Sequence, residues 1–430
     1  MITNQQMFLQ TAYKIAKDLA KDAIWYEDTC NWTGHKIDAI NGNFKVVTAT
    51  LSAEPYSGLA GVATFLSRIV TKINEPILVK TLEGTVNSII NILKEGNELG
   101  NYGLFSGKLG TAYHLWTIGK QQNRPEWRAQ GLEIITSLAD IPVADHEIDI
   151  ISGAAGAIPV LLEIHEKEQQ EVFLTMAKKC GDFLLEKAQK TPQYWSWLTI
   201  PEVKYGLTGY SHGAAGIAVG LLELGIYTQD SRYLHAGTMG FNYENQWFDQ
   251  YGKNWPDLRE YKGEGKPNYS AIWCHGAPGI ALARIRAYQL TGNQEHQYMA
   301  QVALETTYRS VIDNLNGGIE GINFSICHGV AGNSDILLSG AEFFNIYEYR
   351  LIAETVGKIG YEQFHRTGLP WPSGVNDPSG RLTGQTTSPS LMLGLAGTGY
   401  FYWRLAFPNE FSSVLLAGDH KKEPIKQEGY

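Results

Sequence analysis

Ser152-Gly153-Ala154-Ala155-Gly156 runs directly into Ala157-Ile158-Pro159-Val160-Leu161-Leu162, and this junction of two spaced glycines with an apolar run decides the fold. The same Gly-x-x-Gly element occurs at Ser57-Gly58-Leu59-Ala60-Gly61, Ser106-Gly107-Lys108-Leu109-Gly110 and His212-Gly213-Ala214-Ala215-Gly216. It returns at His275-Gly276-Ala277-Pro278-Gly279, His328-Gly329-Val330-Ala331-Gly332 and Leu393-Gly394-Leu395-Ala396-Gly397. Between first glycines the steps are 49, 46, 60, 63, 53 and 65 residues, which suits a helical hairpin plus loops repeated along the chain.

The segment after each element is apolar on nearly all sides, as in Ala63-Thr64-Phe65-Leu66 and Ile217-Ala218-Val219-Gly220-Leu221-Leu222. That pattern belongs to a helix covered on every face. Between these lie amphipathic stretches such as Phe173 to Lys187, with Phe173, Leu174, Ala177, Cys180, Phe183 and Leu184 apolar, which read as outer helices. Glycine at the head of an inner helix lets neighbouring backbone approach closely. Seven such heads would gather helix N-termini around one mouth. The expected fold is all-α, an α/α toroid of seven inner and seven outer helices with loop and short β insertions. It is expected to form one domain over residues 1–430. The periodicity breaks over 240–270, including Trp247-Phe248-Asp249 and Asn254-Trp255-Pro256-Asp257-Leu258-Arg259, which reads as an irregular insertion. The proline-bearing stretch 367–389 reads the same way, and both are expected to cover a functional site.

Composition narrows the function. Hydrophobic content of 43% with 18% charged residues is ordinary for an enzyme, and a formal charge of −9 argues against nucleic acid as the partner. The first residues, Met1 to Ala20, lack the apolar segment of a signal peptide, and no run reaches the ~18 apolar residues of a membrane span. Four cysteines in 430 residues do not make a disulfide framework, so a cytoplasmic location is expected, peripheral to the membrane at most through a biosynthetic complex.

Three corners concentrate the chemistry: Ser211-His212-Gly213, Cys274-His275-Gly276 and Cys327-His328-Gly329. Cys274, Cys327 and His328 offer two sulfurs and one imidazole, a donor set whose softness suits Zn2+ and whose count leaves one position open. Cys180 and Cys30 read as small buried hydrophobes, and His35, His114, His146, His165, His235, His296, His365 and His420 as ordinary hydrogen-bonded histidines. His212 stands at the imidazole corner behind Ser211, as a further ligand or as an acid/base group beside the metal. His275 is a second proton-transfer group or a loop orienter. Asp149, four residues before Gly153, orients His212 or caps a helix.

Trp273-Cys274-His275-Gly276-Ala277-Pro278-Gly279, Ser211-His212-Gly213-Ala214-Ala215-Gly216, Cys327-His328-Gly329, Asn254-Trp255-Pro256-Asp257 and Ser390-Leu391-Met392-Leu393-Gly394-Leu395-Ala396-Gly397 together resemble the signature of the lanthionine cyclase (LanC and LanC-like) family. The resemblance covers nearly the whole chain. It implies an α/α toroid with one catalytic zinc on Cys274, Cys327 and His328, and His212 and Asp149 in the acid/base machinery. Stand-alone bacterial members often carry tyrosine after the zinc cysteine and arginine four residues before it. This chain has His275 and Ser270 there, and Arg284 and Arg259 are the candidates for the arginine's place.

The implied reaction adds a peptide cysteine thiol to dehydroalanine or dehydrobutyrine of the same dehydrated precursor peptide. The chain holds no room for a dehydratase, so a separate dehydratase, and an exporter complex with it, are the expected partners. Addition of glutathione to dehydrated residues in proteins, and a non-catalytic zinc-containing peptide-binding toroid, are the alternatives.

Overall fold

In the computed structural model the described residues are 3–40, 43–96, 99–318, 322–376 and 386–418. Helix α1 (Asn4–Asp22) opens the chain behind a Thr3–Gln6 capping box. Two antiparallel hairpins follow, β1 (Ile24–Tyr26) with β2 (Thr29–Asn31) and β3 (Thr33–Ile40) with β4 (Asn43–Thr50). Six helical hairpins come next: α2 (Leu59–Lys72) with α3 (Pro76–Lys94), α4 (Lys108–Gln121) with α5 (Pro125–Ser137), and α6 (Ala154–Glu168) with α7 (Glu171–Lys187). After the short pair β5 (Gln189–Lys190) and β6 (Trp195–Ser196) they continue as α8 (Ala214–Thr228) with α9 (Ser231–Trp247), α10 (Ala277–Thr291) with α11 (Gln294–Asn316), and α12 (Val330–Phe344) with α13 (Tyr347–Gly360). Helix α14 (Leu395–Ala406) is the last, and its hairpin partner is α1.

The even-numbered helices touch in sequence from α2 to α14, and α14 packs back on α2, so they close a ring. The odd-numbered helices form the outer layer. The expected seven inner and seven outer helices are therefore present, the seventh outer helix being supplied by α1. Helix α8 shows why the inner set lies inside. Ala214 to Gly225 are all buried, and fully burying each of Ile217, Leu221, Leu222 and Leu224 is worth roughly 1.5–3 kcal/mol. The outer α7 buries one stripe only, Phe173, Met176, Ala177, Cys180, Gly181 and Leu184.

Each inner helix begins at a Gly-x-x-Gly element for a steric reason. A Cβ on the second glycine would lie 1.7–2.2 Å from the carbonyl oxygen six residues earlier, on Pro55, Leu104, Ile150, Tyr210, Trp273, Ile326 or Leu391. The loop folds back over the helix head at that distance and supplies its missing acceptors. Ala154 N–H donates to Glu147, Ala214 to Leu207, Val330 to Asn323 and Leu395 to Ser388, in each case a carbonyl seven residues back. Gly216→Ala would drive its methyl to 2.1 Å from the Tyr210 oxygen. We expect it to cost about 3 kcal/mol or more in denaturant unfolding. A loss within ~0.5 kcal/mol would refute this account of the repeat.

The irregular insertion expected over 240–270 begins later, at Phe248, because α9 continues through Trp247. Gly240, Phe241 and Tyr243 look like loop composition but lie on the buried face of α9, with Gly240 close against Ala218 and Trp197. Of the stretch 367–389, residues 377–385, with Pro378, lie outside the described residues, as does His420; the described remainder is irregular after a π-turn at Tyr361–His365.

Residues 411–418 cross the ring's interior. Arg404 reaches the Phe411 carbonyl, and Ser413 Oγ bonds the buried Asp335, which also pairs with Arg404 at 2.6 Å. Trp273 Nε1 donates to the Leu415 carbonyl at 2.9 Å and Ala417 N–H to Tyr210 Oη at 3.0 Å. A cavity of about 280 Å³ beside this segment, between α10, α12 and α14, has no corner residue in its wall.

Candidate active site at the helix corners

The residue two places before each first glycine takes part in a chain of hydrogen bonds around the mouth. Cys327 N–H donates to Met392, Met392 to Tyr56, Tyr56 to Phe105 and Phe105 to Ile151, at 2.9–3.0 Å. Ile150 N–H donates to Ser211, and Ser211 Oγ to the Cys274 carbonyl at 3.2 Å. Asn333 Nδ2 bridges to the Ala271 carbonyl between the Cys327 and Cys274 corners at 2.9 Å. Residues far apart in sequence are thereby held at fixed mutual positions.

Cys274 and Cys327 come together, 53 residues apart in sequence, with their Sγ atoms 2.8 Å from each other. Cys274 is the thiol that ionises first, because the hydrogen bond from Cys327 favours its thiolate despite burial. Burial and then that neighbouring charge hold the Cys327 thiol well above the usual range. Cys30 and Cys180 are buried elsewhere, and desolvation pushes them up to about 11 and about 12. His328 follows Cys327 directly, and its Nε2 lies 2.8 Å from the Gly374 carbonyl. That oxygen can only accept, so Nε2 carries the proton and Nδ1 presents its lone pair. Burial lowers the His328 pKa and keeps the ring neutral.

On the adjoining corners His212 Nδ1 and Asp149 Oδ2 are 2.6 Å apart. Asp149 Oδ1 accepts from Ser152 N–H at 2.7 Å and Ser152 Oγ at 2.9 Å, so this one carboxylate both braces its own turn and holds His212. Burial acts to lower the His212 pKa, but the Asp149 charge and hydrogen bond outweigh it and the pKa is raised. The His275 ring lies 6.2 Å from that of His212, inclined by 27°. Neither His275 nitrogen makes a hydrogen bond among the described residues; the Thr208 backbone is close enough to favour protonation without reaching hydrogen-bond geometry. Asp257 Oδ1 is 3.9 Å from Nδ1, yet burial and then Arg259 push the His275 pKa down to about 3.

The α10 corner departs from the common cap. Pro278 has no N–H, Gly276 is at φ 92°, and Ala277 N–H donates to Asn254 Oδ1 at 2.8 Å instead of to a carbonyl seven residues back. The 248–270 insertion is thus built into the Cys274 corner. It delivers Asp257, which grips Arg259 through two oxygens at 2.6–3.1 Å. The Arg259 charge acts on Cys274, Cys327, His275 and His328. Arg284 instead is fully buried against Asn245, His296 and the Phe241 ring, remote from this group. Of the two arginines read from the sequence, Arg259 is at the site.

Tyr56 completes the cluster, its hydroxyl 2.8 Å from Cys327 Sγ. The sequence reading passed over it, although Tyr56-Ser57-Gly58 puts it at the corner position that Cys274 and Cys327 occupy in their own repeats.

Two sulfurs and an imidazole tied at its outer nitrogen are donors of the type that zinc takes, with the backbone carbonyl behind the ring that such ligands use. As they stand, no three His, Cys, Asp or Glu side chains among the described residues are arranged to hold a metal. Tetrahedral bonds of 2.3 Å place two sulfurs roughly 3.8 Å apart, so the thiols fit the ion after parting by about 1 Å.

The profile of the family described as "Lanthionine synthetase C-like protein" matches residues 50–416. The chain is 24% identical to the lacticin 481/lactococcin biosynthesis protein LcnDR2 of Lactococcus lactis subsp. lactis, over 74% of this chain and 32% of that protein. It is 22% identical to the nisin biosynthesis protein NisC of the same organism (68% and 74% covered) and 22% identical to the glutathione S-transferase LANCL1 of Danio rerio (43% and 44%). The chain therefore spans about a third of the length of LcnDR2 and under half of the Danio rerio protein. Among solved structures, nisin cyclase aligns with a TM-score of 0.62 at 17% identity, covering 83% of this chain and 89% of that one, which shows a shared fold.

Proposed function

The chain belongs to the lanthionine synthetase C-like family, and from that membership and the corner geometry we propose that it is a zinc-dependent peptide cyclase. Its reaction closes (methyl)lanthionine thioether rings by adding a cysteine thiol of a dehydrated precursor peptide to dehydroalanine or dehydrobutyrine in the same peptide. The observation that carries this reading is the convergence of Cys274 and Cys327 at 2.8 Å, with His328, the residue after Cys327, tied at its outer nitrogen to Gly374.

Zinc held by Cys274, Cys327 and His328 would make the incoming thiol ionise at neutral pH, where a free thiol of pKa ≈ 8.5 stays mostly protonated. His212 gives its Nδ1 proton to the Asp149 hydrogen bond and keeps Nε2 as the base that takes the thiol proton. The sulfur then attacks the β-carbon, and the alkene pair becomes an enolate. His212, protonated and with its pKa raised, returns the proton to the α-carbon. His275, held neutral by burial, is a weak donor, which favours His212 over His275 for the acid role. Arg259, anchored by Asp257, would supply positive charge to the enolate oxygen as it develops. With zinc held there, two sulfur donors would leave an incoming thiol electron-rich and so nucleophilic.

This chemistry requires prior dehydration of the peptide, so a dehydratase acting beforehand is the proposed partner, with an exporter complex beside it. No helix among the described residues is long and apolar enough to cross a membrane.

The glutathione reading is favoured by one observation, the similarity to the Danio rerio glutathione S-transferase. Incubation with dehydrated precursor and glutathione separates the two. Cyclisation removes free thiols at constant mass, whereas glutathione transfer raises the product mass by that of the tripeptide. Persistence of thiols at constant mass, with zinc loaded, would overturn both.

A further inference from the structure

A cyclase of this kind faces a chemical hazard of its own: two resident sulfurs stand where a dehydroamino acid, an electrophile, is delivered. Either sulfur adding to it would form an S–C bond to the β-carbon, send the alkene pair to the α-carbon and, after protonation there, leave the peptide bonded to the protein. No oxidant or co-reactant is needed. Something must keep the resident sulfurs from reacting while the substrate sulfur reacts.

Tyr56 is placed to do this for Cys327. Its ring is carried on a backbone fixed from both sides, with Tyr56 N–H on Phe105 at 3.0 Å and its carbonyl receiving Met392 N–H at 2.9 Å. Met392 in turn accepts Cys327 N–H at 3.0 Å. The same three-corner linkage that positions Cys327 therefore aims the phenol at it, at 2.8 Å from Oη to Sγ. The phenol ring stands edge-on to Phe105, which blocks a swing away. Held on zinc, Cys327 would be a thiolate with no proton to give, so the phenol would donate to it and occupy a sulfur lone pair. On Cys274 the nearest hydroxyl is that of Ser211, which acts on the thiol but gives its proton to the Cys274 carbonyl at 3.2 Å.

We propose that Tyr56 is a specificity-determining residue that protects Cys327 from alkylation by the enzyme's own electrophilic substrate. The proposal rests on the cyclase reading, but its main test does not. N-ethylmaleimide is a Michael acceptor that needs no catalysis, so it reads Cys327 reactivity whether or not the chain forms thioethers. Wild type and Tyr56→Phe are treated with it at neutral pH, and modified cysteines are located by peptide mass. Cys327 should react at least about tenfold faster in Y56F, the factor that a hydrogen bond worth about 1.4 kcal/mol supplies. With dehydrated precursor, Y56F should accumulate Cys327 carrying one peptide mass while wild type does not.

Equal Cys327 rates in the two folded proteins, judged by matching thermal melts, would overturn the proposal. If Y56F does not fold, Tyr56→Leu and Tyr56→Met are compared with wild type in the same way, and an unchanged Cys327 rate in a folded variant without the phenol overturns it.

Discussion

Cys274→Ala will lose its metal and its ring-forming activity together. Alanine removes one of two sulfurs from a three-donor set and leaves a methyl where the open position's neighbour stood. Elemental analysis of the purified variant should read zinc at background, against stoichiometric zinc in wild type and in Cys180→Ala, whose thiol is buried under α7 remote from the corners. Thioether formation should fall below detection. Retention of stoichiometric zinc by C274A would remove Cys274 from the ligand set and, with it, the proposed chemistry.

His212→Asn should do the opposite with respect to metal. Zinc stays, and the rate of cyclisation falls by about 10²–10⁴, the range that a positioned proton-transfer group contributes. Loss of zinc from this variant would move His212 into the ligand set. The pH profile supplies a second reading. With the folded pKa of His212 raised above 6.5, the basic ring becomes available only above that value, so the acidic limb of the wild-type rate lies there. Asp149→Asn leaves burial as the main influence, which lowers the pKa, so the limb moves to lower pH while the maximal rate drops. Stability follows the same sign. The imidazolium–Asp149 pair stabilises the fold fully below pH 6.5, and that contribution is lost as pH rises through the raised folded value. D149N should flatten this part of the melting-temperature profile. An unmoved limb in D149N would separate Asp149 from the proton chemistry.

The toroid was legible in the sequence because its constraint is local and steric: a Cβ at Gly216 or Gly332 meets backbone only six residues away, so the glycines recur wherever the corner does. The meeting of Cys274 with Cys327 followed once the repeat was seen, since equivalent corners of successive hairpins adjoin. Three features were not legible. Tyr56 shares the cysteines' corner position but is not a metal-ligand type, so a search for ligands passes over it. Arg259 could be preferred to Arg284 only after the Asn254–Ala277 bond showed that the insertion is part of the Cys274 corner. The start of that insertion was misread because a helix buried against α8 and Trp197 uses the same glycines and aromatics that mark loops.

The pairing of α1 with α14 sets a timetable for biosynthesis. The apolar stripe of α1, Phe8, Ala12, Ile15, Ala16 and Leu19, leaves the ribosome well before its main partner, which spans residues 395–406. At about 5–20 residues per second the nascent stripe waits on the order of 20–80 s for that partner, and a lone helix of this length is marginal in water. Until α13 and α14 are made, α1 has only its smaller contacts with α2 and α3, which leaves its stripe open to a holdase chaperone for most of the synthesis of the ring.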